Sequence, residues 1–167
     1  MGKYDYKSKK NNYLTPKEVI KKIFEILKEI GINNSKFELD TCCSIKNIPA
    51  YKYFIDGEKD GLNEKWEFLN YCNPPYNECE KWVKKAHSEY EKGNTTVLLI
   101  PARTETKYWH EYILKEGYAT NPDIKVKYLR KGISFINPNN NQKMGVFKNP
   151  LAIVIFDGRK KIIDKEG

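Results

Sequence analysis

The chain has 167 residues, enough for one domain with a substantial core. Hydrophobic residues make up 40% and charged residues 31%, a globular balance, and no apolar run approaches the roughly 20 residues of a membrane span. A net charge of +8, from 30 Lys+Arg against 22 Asp+Glu, favours an anionic partner, most simply nucleic acid; a lysine-rich surface serving solubility is the alternative. The amino terminus lacks the apolar core of a signal peptide, so a cytoplasmic location is expected. Cys42, Cys43, Cys72 and Cys79 have neither CxxC spacing nor a neighbouring His pair. They are expected to be free thiols, not metal ligands, and His87 and His110 also lack a metal-like partner.

Residues 1–12 are polar and basic and read as a flexible arm, suited at most to phosphate contacts. A helix then begins: Thr15 reads as its N-cap, Pro16 as its first position and Glu18 as the other half of a capping box. Val19, Ile20, Ile23, Phe24, Ile26, Leu27 and Ile30 form its apolar face, and Gly31 closes it. Short strands are expected at 37–39, 51–56 and 66–72, the first two ending in Asp40 and Asp56. Asn77 with Glu80 forms a second capping box for a helix ending near Gly93. The run "TTVLLIP", 95–101, is apolar and β-branched throughout, as in a strand buried on both faces. Residues 105–117 read as a helix, 124–130, 133–137 and 151–156 as strands, and 158–167 as a charged, frayed tail. The pattern is α/β: a mostly parallel central sheet with helices on both faces, in one domain over 13–157.

In open α/β sheets, ligands bind beyond the carboxyl ends of the strands. Asp40, Asp56 and Asn73 fall at such ends, although each taken singly suits ordinary loop capping. The stretch "CNPPYN", 72–77, freezes the backbone where a strand gives way to a helix. That stiffness suits transfer of a group to an exocyclic amine. The amine lone pair is delocalised into its ring, so it needs acceptors that take the amino hydrogens and aim the lone pair. The Asn73 side chain and the Pro74 carbonyl, directed by Pro75, would be such fixed dipoles. Tyr76 offers a flat ring on which a base swung out of its helix can stack.

"NPPY" at a strand end resembles the catalytic motif of S-adenosylmethionine-dependent amino-methyltransferases. These act on adenine N6 in DNA and RNA, on guanine N2 in RNA, and on glutamine side chains. "YLTP", "FELDTCCS", "DGLNEKW", "CNPPYNECEKWVKKA", "VLLIPARTETKYWHEYI", "YLRKGISF" and "NPLAIVIF", in that order over residues 13–156, resemble the phage-type DNA N-6-adenine methyltransferases, a Dam-like family. The resemblance implies a Rossmann-like methyltransferase fold and methyl transfer from S-adenosylmethionine to N6 of adenine in DNA, in a phage or restriction-modification setting. It implies Asn73, Pro74, Pro75 and Tyr76 as the catalytic set. Thr15, Pro16, Asp40, Cys42, Cys43 and Ser44 would meet the cofactor, Asp56 its ribose and Asp60 its adenine. No glycine lies between Gly31 and Gly57, so the glycine-rich loop common in methyltransferases is absent. Arg103, Thr104, Arg130 and Lys131 would contact nucleic acid, with solvated surface charge as the alternative for Arg130 and Lys131. Specificity would come from loops 104–120 and 137–148 or from the basic arm. The expected assembly is a monomer or weak homodimer. The alternatives are an RNA or protein-glutamine methyltransferase of the same chemistry, and a nucleic-acid-binding relative that has lost its cofactor.

Overall fold

The computed structural model describes residues 13–118 and 121–167; the expected arm, 1–12, lies outside them. Six strands form one sheet: β1 (Phe37–Cys43), β2 (Ala50–Ile55), β3 (Leu69–Cys72), β4 (Thr95–Pro101), β5 (Ile124–Tyr128) and β6 (Leu151–Phe156). Their order is β2-β1-β3-β4-β6-β5. The first four pair in parallel, while β6 runs antiparallel to both β4 and β5, so every strand except β6 points the same way. The sheet is thus mostly parallel, as expected.

The expected buried strand is β4, between β3 and β6, and all its residues are buried. With no polar face to show water, it must be covered on both sides. Alternation along the strand sends Leu98 and Ile100 to one core and Val97 and Leu99 to the other. Helix α2 (Cys79–Glu91) covers the first with Trp82, Val83 and Ala86; helix α1 (Lys17–Glu29) covers the second with Val19, Ile23 and Leu27. Gly31, at φ +84°, lets the chain turn back after α1 so that the Ile32 N–H reaches the Leu27 carbonyl at 2.9 Å. Parallel strands are usually joined through a helix, but residues 44–49 carry β1 back to β2 without one. Ile48 from that crossover packs in the α1-side core.

Several local expectations are corrected. Pro16, not Thr15, is the N-cap of α1, and no side chain caps the helix. The Thr15–Glu18 capping box does not form because the Thr15 hydroxyl is held by Tyr71 at 2.6 Å. The Asn77–Glu80 box is likewise absent: a 3-10 turn (Tyr76–Glu78) precedes α2, started by the Glu78 N–H donating to the Pro75 carbonyl at 3.0 Å. Residues 105–117 hold only a short helical stretch with a π turn (Trp109–Ile113), anchored by the buried Trp109 and Ile113. Residues 133–137 make single bridges, from Ile136 to Leu14 and to Lys143, instead of a strand. Pro16 follows close behind Leu14 and cannot extend the ladder. The tail is ordered as α3 (Arg159–Glu166), where Arg159 pairs with Asp157 at 2.7 Å and donates to the Ile30 carbonyl at 2.8 Å.

Asp40 does not end its strand. It sits inside β1, opposite Tyr53 on one side and Tyr71 on the other, and is 3% exposed. Burial pushes its pKa from 3.8 to about 8, against the weaker pull of the Cys42 N–H and the Cys43 thiol. An acid whose folded pKa is raised supports the fold below its unfolded pKa and loses that support as pH climbs through the folded value. Between pH 4 and 8 the unfolded chain releases this proton while the native chain keeps it. Native stability relative to an Asp40→Asn variant should therefore fall by about 1.4 kcal/mol per pH unit across that window. Urea denaturation of both proteins at each pH checks this; a flat difference would mean that Asp40 is already ionised in the native state.

Candidate active site

From β1 the chain moves outward to β2, then crosses to the other side of β1 to form β3. The carboxyl ends of β1 and β3 therefore flank a topological switch point, where open α/β sheets bind ligands. Cys42, Cys43 and Ser44 leave from one side of it, and Asn73 and Pro74 from the other.

The Asn73 amide is fixed at both ends. Its nitrogen donates to the Tyr13 carbonyl at 3.1 Å and more weakly to Thr15 Oγ1 at 3.4 Å, and its Oδ1 accepts from the Tyr76 hydroxyl at 3.1 Å. A carbonyl can only accept, so the nitrogen must face Tyr13 and the oxygen must face Tyr76. Thr15 in turn meets the buried Tyr71 hydroxyl at 2.6 Å, and its carbonyl accepts from Asn47 at 2.9 Å. Burial raises the pKa of both Tyr71 and Tyr76, keeping their hydroxyls protonated. Cys42 adds a weak thiol contact to the Asn73 carbonyl at 3.5 Å.

Pro74 and Pro75 are buried, while Asn73 and Tyr76 are only half-buried. The Tyr76 ring meets Phe147 edge-on at 5.5 Å and Phe135 at 6.3 Å. Phe135 also stacks on Tyr13 at 5.6 Å. Residues 133–147 thereby reach the motif from far along the chain and form an aromatic wall beside it.

Two depressions adjoin the corner. The larger, about 440 Å³, is lined by Phe54, Asp56, Asp60, Leu62, Pro75 and Trp82, among others. The smaller is lined by Thr15, Asp40, Ser44, Asn47, Tyr71 and Asn73, among others. Cys42 and Cys43 line both. Gly61 closes tightly over the larger one: a Cβ there would stand 2.1 Å from the Thr41 carbonyl oxygen, so only glycine allows this approach. Asp60 already accepts from the Leu62 N–H at 3.0 Å and Asn63 Nδ2 at 2.8 Å, which shapes its own turn.

Every residue expected at the cofactor except Pro16 lines one of these depressions; Pro16 is buried and caps α1. The residues expected at nucleic acid are more scattered. Arg103 and Thr104 follow β4, where Arg103 pairs with Glu105 at 2.9 Å and the Thr104 carbonyl meets His110 Nε2 at 2.9 Å. Arg130 and Lys131 are exposed beyond β5. That strand is three strand spacings from β3, or about 14 Å. Sequence reading missed Tyr13, Asn47, Tyr71, Phe135 and Phe147. Tyr13 and Phe135 lie in the stretches YLTP and YLRKGISF, but nothing linear gave them a role, and Asn47, Tyr71 and Phe147 stand in ordinary settings.

Comparison with known proteins agrees with this architecture. A solved structure from Pyrococcus horikoshii, assigned as an RNA methyltransferase, superposes with a TM-score of 0.52 over 91% of each chain at 14% identity, a likeness of fold. The DNA N-6-adenine-methyltransferase of Haemophilus phage HP1 is 28% identical over 130 residues, covering 74% of this chain and 69% of the phage protein. The model of the DNA N-6-adenine-methyltransferase (Dam) family matches residues 4–164. This chain accordingly belongs to the Dam family of DNA N-6-adenine-methyltransferases, enzymes that methylate N6 of adenine in DNA.

Proposed function

We propose that the family's reaction runs here with S-adenosylmethionine as donor and with the Asn73–Tyr76 corner as the place where the target adenine is held. The observation that carries this reading is the anchored Asn73 amide, whose oxygen is fixed by bonds at 3.1 Å on either end of the group. Its Oδ1 keeps a second lone pair for one hydrogen of the adenine amine, and the Pro74 carbonyl takes the other. With both hydrogens engaged, the nitrogen lone pair turns out of the ring plane. The fixed dipoles then favour the positive charge that grows on nitrogen during transfer. Tyr76 carries the flipped base on its ring while its hydroxyl stays bonded to Asn73.

The depressions suit the donor chemically. Ser44 Oγ and Trp82 Nε1 are buried polar atoms without a hydrogen-bond partner, one in the lining of each depression. Such orphans are costly unless a ligand completes them. Ser44 and Asp40 suit the charged amino-acid end of the donor. The larger depression, of a size typical for small-molecule sites, suits its nucleoside. We assign Asp56 to the ribose hydroxyls and Asp60 to the adenine edge. When bound, the donor would supply an electrophilic methyl on a sulfonium. The absent glycine-rich loop is replaced by small side chains, Cys42, Cys43 and Ser44, that let a ligand approach the β1 end. Arg103, Thr104, Arg130 and Lys131 are assigned to the DNA backbone. Among the described residues, no helix is long and apolar enough to cross a membrane.

Asn73→Ala should lower methyl transfer to duplex DNA by roughly two to three powers of ten while leaving donor affinity unchanged by calorimetry. Transfer of labelled methyl to duplex DNA, single-stranded DNA and RNA, followed by nucleoside analysis, is the direct assay. A folded Asn73→Ala protein with wild-type rate would sink the mechanism.

Tyr76 should separate into ring and hydroxyl. Tyr76→Phe removes the donor to Asn73 Oδ1 and should cost about 1 kcal/mol in transfer. Tyr76→Ala should cost a further 1–3 kcal/mol or so through lost stacking. Equal rates for the two variants would remove the stacking role.

Tyr71 is assigned as a positioning residue acting through Thr15. Tyr71→Phe should lower kcat about tenfold with little change in KM, the size of one lost neutral hydrogen bond. Thr15→Val should repeat that split and Thr15→Ser should preserve activity. A rise in KM with unchanged kcat would place Thr15 on the donor alone.

A further inference from the structure

We propose that the turn at residues 137–142 reads the target sequence, with the side-chain amides of Asn139, Asn141 and Gln142 contacting base edges of duplex DNA beside the adenine held at Asn73. This rests on the assignment of Asn73 and Tyr76 to the target base. The stem of the turn belongs to the wall of that corner. Phe135 precedes the turn and Phe147 follows it, and both pack on the Tyr76 ring, at 6.3 and 5.5 Å. Ile136 pairs in both directions with Leu14 at 3.0 Å, beside the Tyr13 whose carbonyl holds Asn73. The turn is closed by the Asn137 N–H donating to the Gln142 carbonyl at 2.9 Å.

Within the turn the amides divide into two groups. Asn137 Oδ1 accepts from the Asn139 N–H at 2.8 Å, and Asn140 Oδ1 accepts from the Gln142 N–H at 3.0 Å. Those two side chains shape the turn. The side chains of Asn139, Asn141 and Gln142 are exposed and carry none of these bonds. Asn141 stands at φ 56°, a left-handed conformation that asparagine tolerates better than most residues and glycine better still.

An amide presents a donor and an acceptor side by side, which matches the N6 and N7 edge of adenine and distinguishes base pairs in the major groove. Four residues of extended chain, Phe135 to Asn139, reach at most about 14 Å. That is on the order of four base steps, so the tip can touch positions flanking a base held at Tyr76. Exposed Lys131 and Lys148 flank the stem, as does Lys143, which is 3.8 Å from Glu18. Lysines there suit phosphates, which position a protein on DNA without reading sequence.

The test uses the full chain, S-adenosylmethionine and a random-sequence duplex library, with methylated adenines located by sequencing. The wild type should confine methylation to a narrow set of contexts. The variant Asn139→Ala/Asn141→Gly/Gln142→Ala keeps a residue suited to positive φ at 141. It should lose roughly 5- to 150-fold discrimination at one or more base positions, with donor affinity unchanged by calorimetry. Lys143→Ala/Lys148→Ala should instead weaken binding evenly across sequences and flatten its salt dependence. An unchanged context preference in the triple variant, including a uniform drop in rate, would overturn the proposal, as would a wild type without preference. Failure of the underlying assignment has a different signature, methyl transfer that survives Asn73→Ala.

Discussion

The parallel pairing of β1 with β3 is the constraint on which the rest of the site depends. Asp40 lies opposite Tyr71 in that pairing, so the two side chains share the α1 face of the sheet. The pairing also places the end of β1 beside the end of β3, which lets Cys42 reach both Cys72, at 3.9 Å, and the Asn73 carbonyl. A slip of β1 by one residue would turn Asp40 to the α2 face, away from Tyr71, and dissolve the corner. Register is held by the flanking strands: β3 is matched to β4 along its whole length, and β4 is locked to β6 from Thr96 to Pro101.

Beneath the amino end of α1, that register gathers an unusual amount of polarity inside the α1-side core. Tyr71, Thr15, Asn73 and Tyr76 form a continuous hydrogen-bonded series. Each member satisfies its neighbour, as a buried network must if it is not to cost more than an apolar core. The series also explains why α1 begins without a side-chain cap. Thr15, well placed to cap the helix, is held by Tyr71 and accepts from Asn73 instead, and Pro16 starts the helix by offering its carbonyl to the Val19 and Ile20 N–H groups. A local rule gives way where a distant group needs the same hydroxyl.

Asp40 and the orphaned Ser44 Oγ and Trp82 Nε1 mark the other side of the balance. A buried neutral acid and unpartnered buried polar atoms are features that a chain selected for stability alone would tend to lose. They lie around the two depressions and not elsewhere in the sheet's β1 end. Elsewhere two more buried atoms, Thr96 Oγ1 and Trp109 Nε1, lack a partner, but the buried carboxylate and amide are met in full. Glu89 is wholly buried, and although burial pushes its pKa up, hydrogen bonds from Lys85, Asn94 and Lys92 hold it below the usual carboxylate value. Asn70 likewise bonds the Glu67 and Thr95 carbonyls.

The sequence by itself determined the α/β class, the strand buried on both faces, the two long helices and the identity of the NPPY corner, because each is written in adjacent residues. An unbroken apolar run, a helical apolar period and a double proline need no distant partner to be read. The placing of Asp56 and Asn73 at strand ends was also legible, whereas Asp40 lies inside its strand because β1 runs on to Cys43. Only the tertiary structure decided what holds the Asn73 amide, since Tyr13 lies 60 residues away in sequence and acts through its carbonyl, a group every residue possesses. The same holds for Tyr71, Phe135 and Phe147, which in the linear chain are indistinguishable from core aromatics. Their roles come from the fold of 133–147 back over the carboxyl edge of the sheet, a contact set by packing and not by any local propensity. The short bridges at Ile136 and the missing cap of α1 have the same cause: long-range partners claimed groups that local rules had assigned nearby.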